Sequence, residues 1–351
     1  MTDTTQLPAI DAEVIVVGGG PAGMTAALLL GRQQRLTIHI DSGDYRNAPS
    51  PAINMLAANN GIAPTDYTAQ ARAAVAALDT VIALQGHVRS ARTLRALDDS
   101  GEEVDAVEVT LSNGRAITAQ RLILGTGQHD HPNLLPGAAE LWGTEVLHCP
   151  YCHGYEAKDS AIAVVHIQQP DAPMAGLLAS YQALYLRQRL SDRVTLITEE
   201  LPPAEHRTAL EALGVRVLHA RAQRLQAGDT GGCVLHTDAL DSSSDELAQE
   251  EHHLDHVFFQ APTSASLDLS ADLELETQGP YILVDAQQRT SNPLVFAAGD
   301  TALARTMPQP LTFVAQAQAQ GQTAGLWADQ DLFFAHPHTP ALPTMSDPES
   351  D

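Results

Sequence analysis

A chain of 351 residues with 43 acidic and 19 basic side chains carries a formal net charge of −24, which argues against nucleic-acid and anionic-membrane partners, because phosphate surfaces select positive charge. A 44% hydrophobic content is enough to bury a core, and the length predicts two domains. Three cysteines are too few for a disulfide-stapled secreted scaffold, the polar start Met1–Glu13 does not read as a targeting peptide, and no apolar run is long enough to span a membrane, so a cytoplasmic enzyme is expected.

Glu13 to Val17 reads as a buried strand, Met24 to Arg32 as an apolar helix and Leu36 to Ile40 as a second strand, together one βαβ unit. Pro49 to Pro64 reads as loop, Thr65 to Leu78 as helix, and Thr80 to His87 and Val104 to Leu111 as strands. Turns are expected at Asp99–Gly101 and Asn113–Gly114. Arg121 to Gly125 is a short apolar strand running into Thr126 and Gly127. Beyond a loop with Pro132 and Pro136, a second βαβ unit is predicted from Ala161–His166, Met174–Arg189 and Val194–Thr198. Strands and turns continue to about Pro262, with the serine- and acid-rich stretch Asp241 to His253 expected as a solvated loop. Leu294 to Ala298 reads as a last strand, Leu311 to Trp327 as a closing helix, and Thr339 to Asp351 as a disordered acidic tail. The histidines at 129, 131, 252, 253, 336 and 338 are expected in loops.

Gly18, Gly20 and Gly23 complete a G-x-G-x-x-G pattern between the first strand and the first helix. The first glycine permits the tight turn, the second lets the backbone approach a pyrophosphate, and the third lets helix pack on strand. Asp41 ends the second strand, where a carboxylate can hold ribose hydroxyls. This context points to a bound dinucleotide. Two further strand ends favour FAD over NAD: Leu124-Gly125-Thr126-Gly127, and Ala298-Gly299-Asp300, whose carboxylate can reach a ribityl hydroxyl. The bland reading of Asp300 is a helix N-cap.

His148-Cys149-Pro150-Tyr151-Cys152-His153-Gly154 is the most informative stretch. Two cysteines two residues apart can close and reopen a disulfide through a thiolate, with His153 carrying the proton and His148 helping or merely packing. A zinc site would need ligands that are not apparent, so no metal is expected. A buried inert pair and a glutaredoxin-like active site remain as alternatives, the latter weakened by the long nucleotide-type region that comes first. Cys233 reads as a bystander.

The order GGGPAG at 18–23, LGTG at 124–127, CPYCHG at 149–154 and FAAGD at 296–300 resembles low-molecular-weight thioredoxin reductases over most of the chain. The resemblance implies an α/β fold of two Rossmann-like, doubly wound domains. Residues 1–126 and 263–338 would form a discontinuous FAD-binding domain, and 127–262 an inserted NAD(P)-binding-like domain carrying the C-x-x-C. The catalytic cysteines would be Cys149, which exchanges with substrate, and Cys152, which faces the flavin, with His153 handling protons on the reading of the residues above. The cofactor residues would be Gly18, Gly20, Pro21, Ala22, Gly23, Asp41, Thr126, Gly127, Gly299 and Asp300. A homodimer is usual in that family.

Two departures refine the expectation. His153 stands where thioredoxin reductases carry an acid, and C-x-x-C-H-G with Asp41-Ser42-Gly43-Asp44-Tyr45-Arg46-Asn47 resembles the dithiol oxidases of gliotoxin and holomycin biosynthesis. The inserted domain also lacks a nicotinamide-type turn. No glycine lies between Gly154 and Gly176, Pro170 and Pro173 remove donors, Asp171 adds negative charge, and Glu199 and Glu200 follow the next strand. The expectation is therefore an FAD-dependent thiol–disulfide oxidoreductase that does not use NADPH in the standard way. It would act as a dithiol oxidase, or as a reductase fed by ferredoxin or a second flavin, on a small-molecule dithiol or a thioredoxin-like protein. The alternatives are an NADPH-dependent thioredoxin-disulfide reductase and a non-enzymatic flavin redox sensor.

Overall fold

A computed structural model describes residues 7–169, 174–240 and 248–335. The described residues fold into two units, one within residues 7–45, 65–129 and 265–335, the other within 46–64 and 130–264.

In the first unit the apolar run Ala12–Val17 sits between Thr37–Asp41 and Ala116–Leu124, parallel to both, and Val81–Gln85 continues the sheet beyond Thr37–Asp41. A strand flanked on both sides and covered on both faces is apolar through its centre, and Glu13 near its start is charged but paired with Arg35. Val14, Ile15, Val16 and Val17 are accordingly all buried. The last residues of Ala116–Leu124 pair in parallel with Val295–Ala297, while its first residues pair antiparallel with Glu103–Leu111. Ile15, Val17 and Leu122 face one core, and Val14, Val16 and Ile123 the other, as period-two alternation requires.

The second core holds two helices, Pro21–Arg32 and Val314–Ala335. Their backbones meet closely because small residues line the contact. A Cβ added to Gly321 would lie 2.0 Å from the Ala22 carbonyl oxygen. The closing helix starts at Val314 rather than Leu311, behind Pro308 and Pro310, and runs past Trp327 because Ala328 and Leu332 are still buried.

The second unit holds the second predicted βαβ. Ala161–His166 and Arg193–Thr198 are parallel neighbours joined through helix Ala175–Arg189, and Arg216–Ala227 follows in parallel after helix Ala204–Ala212. His256–Phe259 and Val146–Leu147 extend the sheet on the other side. Cys233–Ala239 and Gln249–Leu254 close it as an antiparallel edge.

Several expectations need correction. The C-terminal part of the stretch read as a solvated loop is the edge strand Gln249–Leu254, and residues 241–247 lie outside the described ones. Its Gln-Glu-Glu-His-His sequence carries no apolar alternation, but an edge strand needs only its backbone bonds and tolerates charge. His252 and His253 therefore lie in a strand, with His252 Nε2 bonded to Thr237 Oγ1 at 2.9 Å. Val88–Leu97 is a strand that hydrophobic patterning missed, because Arg89, Ser90, Arg92, Thr93 and Arg95 are all exposed and leave no period-two pattern, with Arg92 and Arg95 paired with Glu108 and Asp105. Residues 46–64, expected with the first domain, group with the second unit through Arg46–Asp130, Ser50–His153 and Asn54–Cys152 contacts. The predicted tail lies outside the described residues. Among those described, no helix is long and apolar enough to cross a membrane.

Candidate functional site

The first unit builds a cradle where parallel strands end. Gly18 takes φ +111°, its N–H donates to Ile40 O at 2.8 Å, and a Cβ there would fall 2.1 Å from Gly125 O. A Cβ on Gly23 would fall 1.8 Å from Gly18 O, so only glycine lets the helix start this close to the strand. At Gly20 a Cβ would meet nothing within 4 Å. That position is open, and it stands at the N-cap of a helix whose first N–H groups have no intrahelical acceptor. A pyrophosphate approaches such a turn without steric conflict.

The acid expected at the second strand end is there and is organised. Asp41 accepts from Gly43 N at 2.8 Å, from Tyr45 Oη at 2.5 Å and from Arg72 Nη2 at 2.7 Å. Burial works to raise its pKa, but the Arg72 guanidinium, the Tyr45 hydroxyl and the Gly43 amide outweigh it and hold the carboxyl below its usual range. Burial and the Asp41 carboxylate drive the Tyr45 phenol above its ordinary value. The Arg72 guanidinium lies 5.6 Å over the Tyr45 ring. A Cβ on Gly19 would strike the Asp41 carboxyl carbon at 2.0 Å, so the middle glycine of the triplet makes room for the acid.

The other two strand ends lie at the same sheet edge. Gly127 takes φ +73° with open space beside it, and Thr126 Oγ1 bonds Thr301 Oγ1 at 3.3 Å. Gly299 takes φ +76°, its N–H donates to Gln320 Oε1 at 2.8 Å, and a Cβ there would crowd Ala22 at 2.9 Å. Asp300 lies inside the turn Gly299–Thr301, whose N-cap is Ala298, so it is not a helix cap. The structure thus brings Gly18, Gly20, Pro21, Ala22, Gly23, Asp41, Thr126, Gly127, Gly299 and Asp300 to one edge of one sheet. Glycine cradle, helix start and ribose-type carboxylate fit the pyrophosphate and ribose of a flavin dinucleotide. Sequence reasoning did not single out Gly19 or Arg72. The glycine triplet hinted at the first, and nothing in helix Pro64–Ala76 marked the second.

The cysteines lie in the second unit. Cys149 and Cys152 form a disulfide with Cα atoms 5.3 Å apart. Cys149 caps the short helix Pro150–His153, Pro150 presets its first turn, and Cys152 N–H donates to Cys149 Sγ at 3.1 Å. Asn54 donates to the Cys152 carbonyl at 2.9 Å, and Gln182 and Gln260 donate to the His148 carbonyl at 3.0 and 2.6 Å, so the segment is held on both flanks. Tyr151 is exposed and its ring lies 5.4 Å from that of Tyr185.

Two histidines flank the pair. His148 stacks on Trp142 at 5.6 Å and stands 6.5 Å from the His153 ring. Burial lowers the His148 pKa to about 4, helped by the Arg46 cation and opposed by Asp130. His148 therefore packs as a neutral ring near neutral pH. His153 Nε2 lies 3.2 Å from Ser50 Oγ, while its buried Nδ1 has no hydrogen-bond partner among the described residues. Burial lowers the His153 pKa, Glu156 opposes the shift and His256 adds to it. Cys233 is buried and unpaired, and burial beside Glu145 and Asp255 pushes its thiol up to about 12, which makes it inert. Among the described residues, no group of three or more His, Cys, Asp or Glu is placed to hold a metal ion.

The second unit's own strand ends differ from the first's. Where a nucleotide-binding unit carries glycine, strand Ala161–His166 ends in His166, bonded to Thr198 Oγ1 at 2.9 Å. A Cβ on Gly176 would meet the His166 ring at 3.1 Å. Residues 170–173 lie outside the described ones. Beyond Arg193–Thr198, the Glu199 carboxylate pairs with Arg221 at 3.3 Å and its carbonyl accepts from His219 at 3.3 Å. The Arg221 guanidinium there is already paired with an acid, a poor arrangement for a ribose phosphate.

Comparison with known proteins agrees with this geometry. Residues 12–321 match the family described as pyridine nucleotide-disulphide oxidoreductase, and the chain belongs to that family. It is 30% identical over 334 residues to thioredoxin reductase tcpT of Claviceps purpurea (strain 20.1), covering 91% of this chain and 94% of that protein. Among solved structures it is similar to an oxidoreductase from Agrobacterium tumefaciens, at 29% identity and a TM-score of 0.77 over 93% of this chain and 100% of the other. It is also similar to HlmI, at 28% identity and a TM-score of 0.74 over 92% of each. The chain is an FAD-dependent oxidoreductase of the thioredoxin reductase-like type.

Proposed function

We propose that this flavoenzyme couples its Cys149–Cys152 disulfide to a dithiol substrate and does not take electrons from NADPH in the manner of thioredoxin reductases. The observation that carries the second half is the second unit's nucleotide region. The glycine turn is missing, and Glu199 and Glu200 stand where a 2′-phosphate needs cations. Gly18, Gly20 and Gly23 would hold the FAD pyrophosphate, Asp41 the ribose, and Thr126, Gly127, Gly299 and Asp300 the flavin end. Bound FAD supplies a two-electron acceptor.

The chain's own residues handle sulfur and protons. One substrate thiolate attacks Cys149, the Cys149–Cys152 bond breaks, and Cys152 leaves as a thiolate with the electron pair. The second substrate sulfur then displaces Cys149, so the substrate departs as a disulfide and the protein holds the dithiol. His153, neutral near pH 7, accepts thiol protons. Oxygen as the final acceptor would make the protein a dithiol oxidase. The same residues run in reverse would reduce a disulfide if ferredoxin or a second flavin supplied electrons. We read the assembly as a cytoplasmic homodimer by the same likeness.

The FAD-loaded protein, given a small dithiol in air, is expected to consume oxygen and release the cyclic disulfide. No dithiol turnover, together with fast NADPH oxidation against a protein disulfide, would assign the ordinary reductase instead.

A further inference from the structure

We propose that Arg72 is a positioning residue for the adenosine end of FAD: together with Tyr45 it clamps the Asp41 carboxylate where it accepts ribose hydroxyls, and it offsets the charge of that carboxylate beside the pyrophosphate. The inference rests on the reading of Asp41 as the ribose acceptor, and deepens it. Asp41 ends strand Thr37–Asp41, Tyr45 follows it by four residues, and Arg72 comes from helix Pro64–Ala76. Arg72 Nη2 donates to Asp41 Oδ2 at 2.7 Å and to Tyr45 Oη at 2.5 Å, and Tyr45 Oη donates onward to the same Oδ2 at 2.5 Å. The phenol thus accepts from the cation and donates to the acid, so every proton in the triangle is assigned. The Gly43 N–H holds the other oxygen, Oδ1, at 2.8 Å. Three donors on two oxygens fix the plane of the carboxylate.

Stability alone does not account for the arginine. Its side chain is 51% exposed, and an ion pair at the surface contributes little to folding. Its place suggests another use. The acid it holds lies against the dinucleotide turn, because a Cβ on Gly19 would fall 2.0 Å from the Asp41 carboxyl carbon. A carboxylate beside a diphosphate repels it, and a neighbouring anion drives the acid to take up a proton. Arg72 cancels the charge of Asp41 through a charge-assisted bond and leaves the acid ionised, still an acceptor next to an anion. A chain with a net charge of −24 has need of such a cation where an anionic cofactor docks.

The groups that bear on Asp41 are Arg72 from the helix, Tyr45 after the strand and His39 on the strand itself. Burial keeps His39 neutral near neutral pH, its Nε2–H donating to Gly18 O at 3.0 Å. Burial also works against the Asp41 charge, and Arg72, Tyr45 and Gly43 outweigh it.

The test titrates the full-length protein, stripped of flavin, with FAD across pH 5 to 9 at fixed ionic strength, with flavin fluorescence as the readout. Arg72→Met is expected to weaken FAD about tenfold at pH 7. It should also move the acid limb of affinity to higher pH, because the carboxyl then protonates more readily. Arg72→Lys should recover most of the affinity and the wild-type limb, since it returns the charge without the guanidinium's shape. Melting temperature reports whether each variant folds. In an Asp41→Asn background, Arg72→Met is expected to add no further loss, because the arginine acts through the acid. An equal loss in that background would assign Arg72 to the phosphates directly and overturn the proposal. So would an Arg72→Met protein with wild-type affinity and acid limb. Wild-type affinity in Asp41→Asn alone would instead remove Asp41 as the ribose acceptor, so failure of that reading is told apart from failure of the role given to Arg72.

Discussion

Cys149→Ser is expected to lower dithiol turnover by at least about 10³-fold while leaving the flavin spectrum and melting temperature unchanged, because the exchange has no other electrophilic sulfur. Cys233 does not substitute for it, being buried with its thiol pushed up to about 12. Cys152→Ser should lose turnover to the same degree but behave differently toward a disulfide. It keeps Cys149 as a lone thiol, so incubation with a linear disulfide of a small monothiol, which releases one thiol and leaves no second sulfur to re-close, should leave a stable mixed disulfide, seen by mass spectrometry as the protein plus one thiol mass. The double variant should show no adduct. Wild-type turnover in either single variant would show that the cysteine pair plays no part in the chemistry.

Gly20→Val is expected to yield a folded but colourless protein. The space beside Gly20 holds no protein atom within 4 Å, so an added side chain disturbs no packing and meets only what docks there. Its branched carbon would occupy the approach a pyrophosphate needs. The flavin-to-protein ratio after purification should fall from near one to a small fraction, and titration of the apoprotein with FAD should show affinity weakened by roughly 10²-fold or more, equivalent to about 2.7 kcal/mol. Gly23→Val gives the contrast. Its side chain would collide with Gly18 O, so loss of flavin there should come with loss of the fold. A Gly20→Val protein as yellow as wild type would place the dinucleotide elsewhere.

The two βαβ units were legible because their strands are continuous apolar runs such as Val14–Val17 and Ile162–Val165, where local pattern and burial agree. The glycines and Asp41 were legible for a related reason: a backbone that must come within contact of another backbone admits only one residue type. What escaped depended on distant partners. Val88–Leu97 has no apolar alternation, and its antiparallel ladder with Glu103–Leu111, whose acids lie opposite Arg92 and Arg95, makes it a strand. Gln249–Leu254 is a strand because Cys233–Asp238 offers it a ladder, not because of its own composition. Residues 46–64 looked like a loop of the first domain until Arg46, Ser50 and Asn54 found partners near the cysteines. Arg72 and Ser50 follow the same logic. Each bonds to a group 31 or 103 residues away, and a lone arginine or serine carries no local sign of it.

Electrons are expected to reach the flavin through sulfur rather than from a pyridine nucleotide, and an anaerobic titration tests this directly. One equivalent of a small dithiol should bleach the bound flavin within the mixing time of the experiment, and the Cys149→Ser protein should stay yellow. A stoichiometric amount of NADPH should leave the wild-type spectrum unchanged over the same interval. Immediate bleaching by NADPH, with no response to the dithiol, would contradict the account.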